Sequence, residues 1–83
     1  MHLKRTYLIE MRKKKNESQR DVASAIGMSH QYYSFIENGE RKRKGLDVIT
    51  LGKFAAHFGT STGLLMRSEQ KYCMDILKNK MPH

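Results

Sequence analysis

His30, Gln31 and Ser34 are the side chains of this sequence best placed to do chemistry at a surface, and that chemistry is hydrogen bonding rather than bond breaking. They fall within Ser29-His30-Gln31-Tyr32-Tyr33-Ser34-Phe35-Ile36. At helical spacing Tyr33 and Ile36 share one face, and His30, Gln31 and Ser34 turn away from it. Gln31 stands out, because a side-chain amide gives and accepts a hydrogen bond at once. The sets an enzyme needs are missing. His2, His30, His57 and His83 share no metal-binding spacing with Cys73 or with one another, there is no glycine-rich phosphate loop, and no Ser-His-Asp set is placed to converge. The chain is therefore expected not to be an enzyme and to use no metal or cofactor.

The elements that must hold those side chains are legible on both sides. Ser18 can cap a helix with Asp21 three residues on, and Ala23 is small enough for a second helix to cross closely. Gly27 closes the first helix where a left-handed backbone is needed. Ser29 is a second cap, and Asn38-Gly39 ends the second helix. Residues 19–39 thus read as two short helices joined by a tight turn, the second with its polar side chains outward. That is the layout of a helix-turn-helix that reads DNA. A major groove about 12 Å wide accepts an α-helix and shows a distinct donor and acceptor pattern at each base pair; Gln31 suits adenine there. Tyr32 should lean towards the sugar-phosphate backbone, where its hydroxyl can donate to a phosphate.

Ser18-Gln19, Val22-Ala23, Ile26-Gly27, Ser29, Ser34 and Ile36-Glu37-Asn38-Gly39 resemble the Cro/cI-type family, also called XRE or lambda-repressor-like. Met11-Arg12 is similar to the family's first helix, and Leu51 to Leu65, with Phe54-Ala55, Phe58-Gly59 and Ser61, to its fourth and fifth. A match spread over so many separate positions, roughly residues 4 to 66, is stronger than one short motif. The resemblance implies an all-α, compact five-helix domain that binds operator DNA, commonly as a homodimer. It also implies residue roles. Base edges would be met by Ser29, His30, Gln31 and Ser34, and Phe35 stands where many relatives are polar, so that it could press on a thymine methyl or pack on the C-terminal helix. Phosphates would be met by Gln19 at the start of the second helix and by Arg41, Lys42, Arg43 and Lys44 after the third, in addition to Tyr32. Arg12 and Glu37 would form a structural ion pair across the first and third helices. Tyr33 replaces a common branched aliphatic, with its ring expected in the core and its hydroxyl at the rim.

Size and charge agree with a nucleic-acid partner. The 83 residues suffice for one small domain. Sixteen Lys and Arg oppose eight Asp and Glu, a formal charge of +8 that favours a polyanion. The charge falls in two blocks, Arg12 to Lys15 and Arg41 to Lys44. A single cysteine, Cys73, excludes an internal disulfide and fits a cytoplasmic protein. No apolar run reaches the roughly eighteen residues of a membrane span, and the N-terminus lacks a signal peptide's apolar stretch.

The remaining pattern predicts helices over 3–15, 19–26 and 30–37, then a surface loop over 40–45. A fourth helix follows Asp47, with Val48, Leu51, Phe54, Ala55 and Phe58 as one buried stripe, and a short fifth follows Ser61. The expected division is a helix-turn-helix domain over 1–66 and an extension over 67–83. In the extension Tyr72, Cys73, Ile76 and Leu77 predict a further, sixth helix, whose stripe could cover the domain's own core or meet a second copy. Three readings keep the fold and change the partner: an antitoxin that seizes a toxin through residues 66–81, a restriction-modification controller, and an inhibitor or adaptor that binds protein through its helical surface.

Overall fold

The computed structural model describes residues 3–39 and 45–80. Among the described residues there are five helices and no strand: α1 (Thr6–Lys14), α2 (Gln19–Ile26), α3 (His30–Asn38), α4 (Val48–Phe58) and α5 (Thr62–Lys80). The four stretches that start helices with a polar side chain do so as their residue types require. The Ser18 hydroxyl accepts from the Asp21 N–H and the Asp21 carboxylate accepts from the Ser18 N–H, a complete capping box. Ser29, Asp47 and Ser61 accept from the N–H groups three residues on. The tight α2–α3 turn rests on Gly27, at φ 75°, in the left-handed region where a side chain is strained.

Two element boundaries differ from the sequence expectation. The first helix begins at Thr6 rather than Leu3, because Leu3 to Arg5 has other bonds to make: the Arg5 N–H donates to the Glu37 carbonyl at 2.9 Å, and the Leu3 carbonyl accepts from the Tyr72 hydroxyl at 2.8 Å. The expected fifth and sixth helices are one helix, α5, 19 residues long. Met66 to Lys71 contains neither glycine nor proline and is rich in good helix formers, so nothing interrupts the ladder. Position 66, where the family resemblance fades, lies inside this helix.

The core joins all five elements through Leu8, Val22, Ala23, Tyr33, Ile36, Leu51, Phe54, Ala55 and Leu65. Tyr33 and Phe54 are fully buried and meet with ring centroids 5.8 Å apart at a tilt of 57°, one of the arrangements that aromatic quadrupoles favour. Burial of a side chain of this size is worth about 1.5–3 kcal/mol, and the core supplies several. The stripe of α4 begins at Leu51, for Val48 is 55% exposed, and Phe58 at its end is half-buried. On α5 only part of the predicted stripe is covered. Tyr72 is buried and Cys73 and Ile76 are half-buried, whereas Leu77 is exposed.

Candidate nucleic-acid interface

Helix α3 is held by one side. Tyr33, Ile36 and Glu37 are buried, while Ser29, His30, Gln31 and Tyr32 are exposed and Ser34 and Phe35 are half-buried. The structure thus brings the sequence-predicted base-edge residues together on one short helix and its cap. Two of them already have partners. Ser29 accepts the Tyr32 N–H at 3.1 Å and keeps its own hydroxyl proton to donate. The Ser34 hydroxyl accepts from Asn38 Nδ2 at 3.3 Å.

The inner side of α3 ends on a buried carboxylate. Glu37 is 1% exposed, and its two oxygens accept four hydrogen bonds. Arg12 approaches as a fork, Nε to Oε2 at 2.6 Å and Nη2 to Oε1 at 3.1 Å, and a third nitrogen, Nη1, donates to the Glu17 carbonyl at 3.0 Å. Gln19 Nε2 donates to Oε1 at 2.8 Å, and the Tyr33 hydroxyl donates to Oε2 at 2.7 Å. Burial by itself would raise the Glu37 carboxyl, but the bonds from Arg12, Gln19 and Tyr33 outweigh it and hold it below the usual carboxylate range. Burial pushes the Tyr33 phenol up, and its bond to Glu37 pushes it further. The arrangement joins α1, α2 and α3 through one anion, so the angle of α3 to its neighbours is set by directional bonds as well as by packing.

Three sequence expectations change here. The Tyr33 hydroxyl is not at the rim but inside, because Glu37 gives it an acceptor one helical turn on. The Gln19 amide is not simply turned to solvent: one N–H goes to Glu37, which leaves the other and the first-turn backbone as its outward groups. The basic block Arg12 to Lys15 is internal only at Arg12, which is half-buried and serves Glu37; Lys13, Lys14 and Lys15 are exposed, and Lys15 Nζ donates to the His57 carbonyl at 3.1 Å. The second block, Arg41, Lys42, Arg43 and Lys44, lies outside the described residues. Sequence reasoning also missed a second buried pair, Arg5 and Glu69. A signal for it existed: Leu65, Glu69, Tyr72 and Ile76 are spaced by four, three and four, so Glu69 stands on the apolar stripe of its helix.

A family model described as helix-turn-helix matches residues 8–65, more than half of the chain. The chain belongs to the Cro/cI-type (XRE) helix-turn-helix family. No curated protein matches the sequence. The match spans α1 to the start of α5 and includes Arg12, Gln19, Glu37 and all of α3. Domains of this family bind DNA as regulators, and the chain is a DNA-binding regulator of that class. No described helix is long and apolar enough to cross a membrane.

Proposed function

We propose that this protein is a sequence-specific transcriptional regulator of the repressor type, which binds palindromic operator DNA as a homodimer with α3 in the major groove. The observation that carries the reading is the two-sidedness of α3: one face is locked by Tyr33, Ile36 and Glu37, and the other presents His30 and Gln31 to solvent within a family match that covers the whole motif. Gln31 pairs with adenine, His30, Ser29 and Ser34 add polar contacts, and Phe35 presses on a thymine methyl. Gln19, with the N–H groups at the start of α2, and Tyr32 hold phosphates on either side of the groove. Arg41, Lys42, Arg43 and Lys44 add phosphate contacts of the sequence-independent kind. In a symmetric dimer the two recognition helices stand about 34 Å apart and half-sites lie about 10 base pairs centre to centre.

Selection from a random duplex pool, followed by titration at several salt concentrations, tests this directly. Gln31→Ala is expected to relax preference at one operator position, at a cost of about 1–3 kcal/mol, whereas Arg43→Ala weakens all sequences alike and lowers the salt slope by about one. Equal losses on selected and random DNA for Gln31→Ala would remove it from the reading set, and a single asymmetric footprint would remove the dimer. A second reading, in which the same fold also holds a protein partner, as an antitoxin does, draws on Met66, Met74 and Leu77 of α5, all exposed apolar side chains.

A further inference from the structure

Among the described residues, Arg5 and Glu69 are the most deeply buried charged pair outside the Glu37 cluster, at 5% and 4% exposure, and their bonds converge on the two stretches that flank the basic run 41–44 in the sequence. On the N-terminal flank, Arg5 Nη1 donates to the Ile36 carbonyl at 2.8 Å and the Arg5 N–H donates to the Glu37 carbonyl at 2.9 Å. A cation on these last-turn carbonyls also complements the dipole of α3. Gly39 follows at φ 68°, pressed so closely between the Leu3 carbonyl and the Tyr72 hydroxyl that a Cβ would overlap both. On the C-terminal flank the Leu46 N–H donates to Glu69 Oε2 at 2.7 Å, and Gly45 packs against Cys73, where a Cβ would stand 3.0 Å from the sulfur.

One carboxylate links the two ends. Glu69 accepts the Arg5 fork, Nε to Oε1 and Nη2 to Oε2, both at 2.8 Å, and then holds Leu46 with the same Oε2. Tyr72, one turn on, donates to the Leu3 carbonyl at 2.8 Å and lies under the Arg5 guanidinium, 4.3 Å from ring centre to Cζ. We infer that Arg5, Glu69 and Tyr72 are positioning residues for DNA binding, through which the C-terminal helix fixes Gly39 and Leu46, the described residues on either side of the basic run 41–44 in the sequence. The inference rests on the DNA-binding reading above, and it concerns residues beyond the family match: Arg5, Glu69 and Tyr72 all fall outside 8–65. Fold stability alone does not call for a charged pair here, since a well-packed apolar pair of similar volume commonly serves as well or better. What the ion pair adds is direction: a guanidinium N–H on the Ile36 carbonyl at one end and an acceptor for the Leu46 backbone N–H at the other.

The test uses that distinction. The full chain is compared as wild type, as the double variant Arg5→Met with Glu69→Met, as Tyr72→Phe and as Tyr7→Phe, with selected and random duplexes between 50 and 200 mM salt. The double variant keeps an apolar-packed body and loses the side-chain anchor at each end, Arg5 to Ile36 and Glu69 to Leu46. It is expected to remain folded by circular dichroism, to bind both duplexes more weakly, to show a salt slope lower by about one, and to keep the wild-type base preference. Its Leu46 amide should exchange hydrogen rapidly while Leu65 stays protected. Tyr72→Phe loosens only the Gly39 end and should lower the slope in the same sense, which keeps the test alive if the double variant does not fold. Tyr7→Phe removes a donor from Glu69 Oε1, not from the oxygen that holds Leu46, and should leave the slope and the Leu46 protection unchanged. Wild-type slopes in the folded double variant and in Tyr72→Phe, or an equal flattening in Tyr7→Phe, would overturn the positioning role alone. Absence of salt-dependent binding in the wild type would overturn the DNA reading and this role with it.

Discussion

Glu37 and Glu69 are both buried, both gripped by an arginine fork and both approached by a tyrosine hydroxyl, yet they organise the chain in opposite ways. The donors to Glu37 are side chains of Arg12, Gln19 and Tyr33, at most 25 positions away, and they bind the helix-turn-helix into a unit. Apart from the Cys73 thiol one turn on, the donors to Glu69 come from the far end of the chain, Arg5 at a separation of 64 and Tyr7 at 62, and from the backbone of Leu46. The first cluster lies wholly inside the family match, whereas Arg5, Tyr7 and Glu69 of the second lie outside it and reach it at the Ile36 and Glu37 carbonyls and the Leu46 N–H. A buried carboxylate can therefore serve as the hub of a local motif or as the fastener between chain ends, and its partners' sequence separation tells which.

The largest effects come from cutting the forks. Arg12→Ala leaves Glu37 charged and buried and is expected to cost about 3–5 kcal/mol in urea unfolding. Arg5→Ala should cost a similar amount, since Glu69 is as well buried. A loss well under about 1 kcal/mol for one of them only would break the parallel between the two clusters.

Next in size are the phenols. Tyr33→Phe removes a fully buried hydroxyl from a carboxylate, a bond to a charged group worth about 1.5–3 kcal/mol. Tyr7 is only half-buried, so water can replace its hydroxyl on Glu69, and Tyr7→Phe should cost less. The reverse order in thermal melts would mean that the Glu69 site is the drier one.

The smallest and broadest effect is pH. Burial opposes the charge on Glu69, as it does on Glu37, but the bonds and charge of Arg5, with the Leu46 N–H and the Tyr7 hydroxyl, hold its carboxyl below the usual range. Because both carboxyls are lowered in the folded state, their stabilisation is complete above the ordinary glutamate value of 4.5 and is lost as the pH falls through the lowered folded-state range. Urea midpoints should be flat from pH 7 to about pH 5 and fall below it. Glu37→Gln should have a shallower acid limb, and an unchanged limb would leave the acid sensitivity to Glu69 and to the capping carboxylates Asp21 and Asp47, which their cap bonds also lower.

Much of the fold was legible because its signals are short-range. Ser18 with Asp21, Ser29, Asp47 and Ser61 mark starts through bonds that reach three residues, and Gly27, Gly39 and Gly59 mark ends through a backbone preference of one residue. The layout of α3 followed from helical periodicity and was legible for the same reason. The start of α1 was not, since Leu3 to Arg5 has ordinary helix-forming residues and is drawn out of the helix by Glu37 and Tyr72. The continuity of α5 was missed because its stripe is interrupted by Glu69, which looks polar until Arg5 is brought to it.

The amino-acid order by itself determined the helix-turn-helix, its caps and the outward set His30, Gln31 and Ser34, because each depends on neighbours within about one or two helical turns. Only the tertiary structure decided that the Tyr33 hydroxyl turns inward, that Gln19 shares Glu37 with Arg12, and that the chain's beginning and its last helix meet at Glu69. The Tyr33 acceptor is only one helical turn on, but it is buried and held in place by Arg12, and the other two outcomes depend on which buried charge finds which donor across 18 and 64 positions. That choice is made by desolvation, which forbids an unpaired carboxylate in the interior, and by the packing that brings a guanidinium within reach.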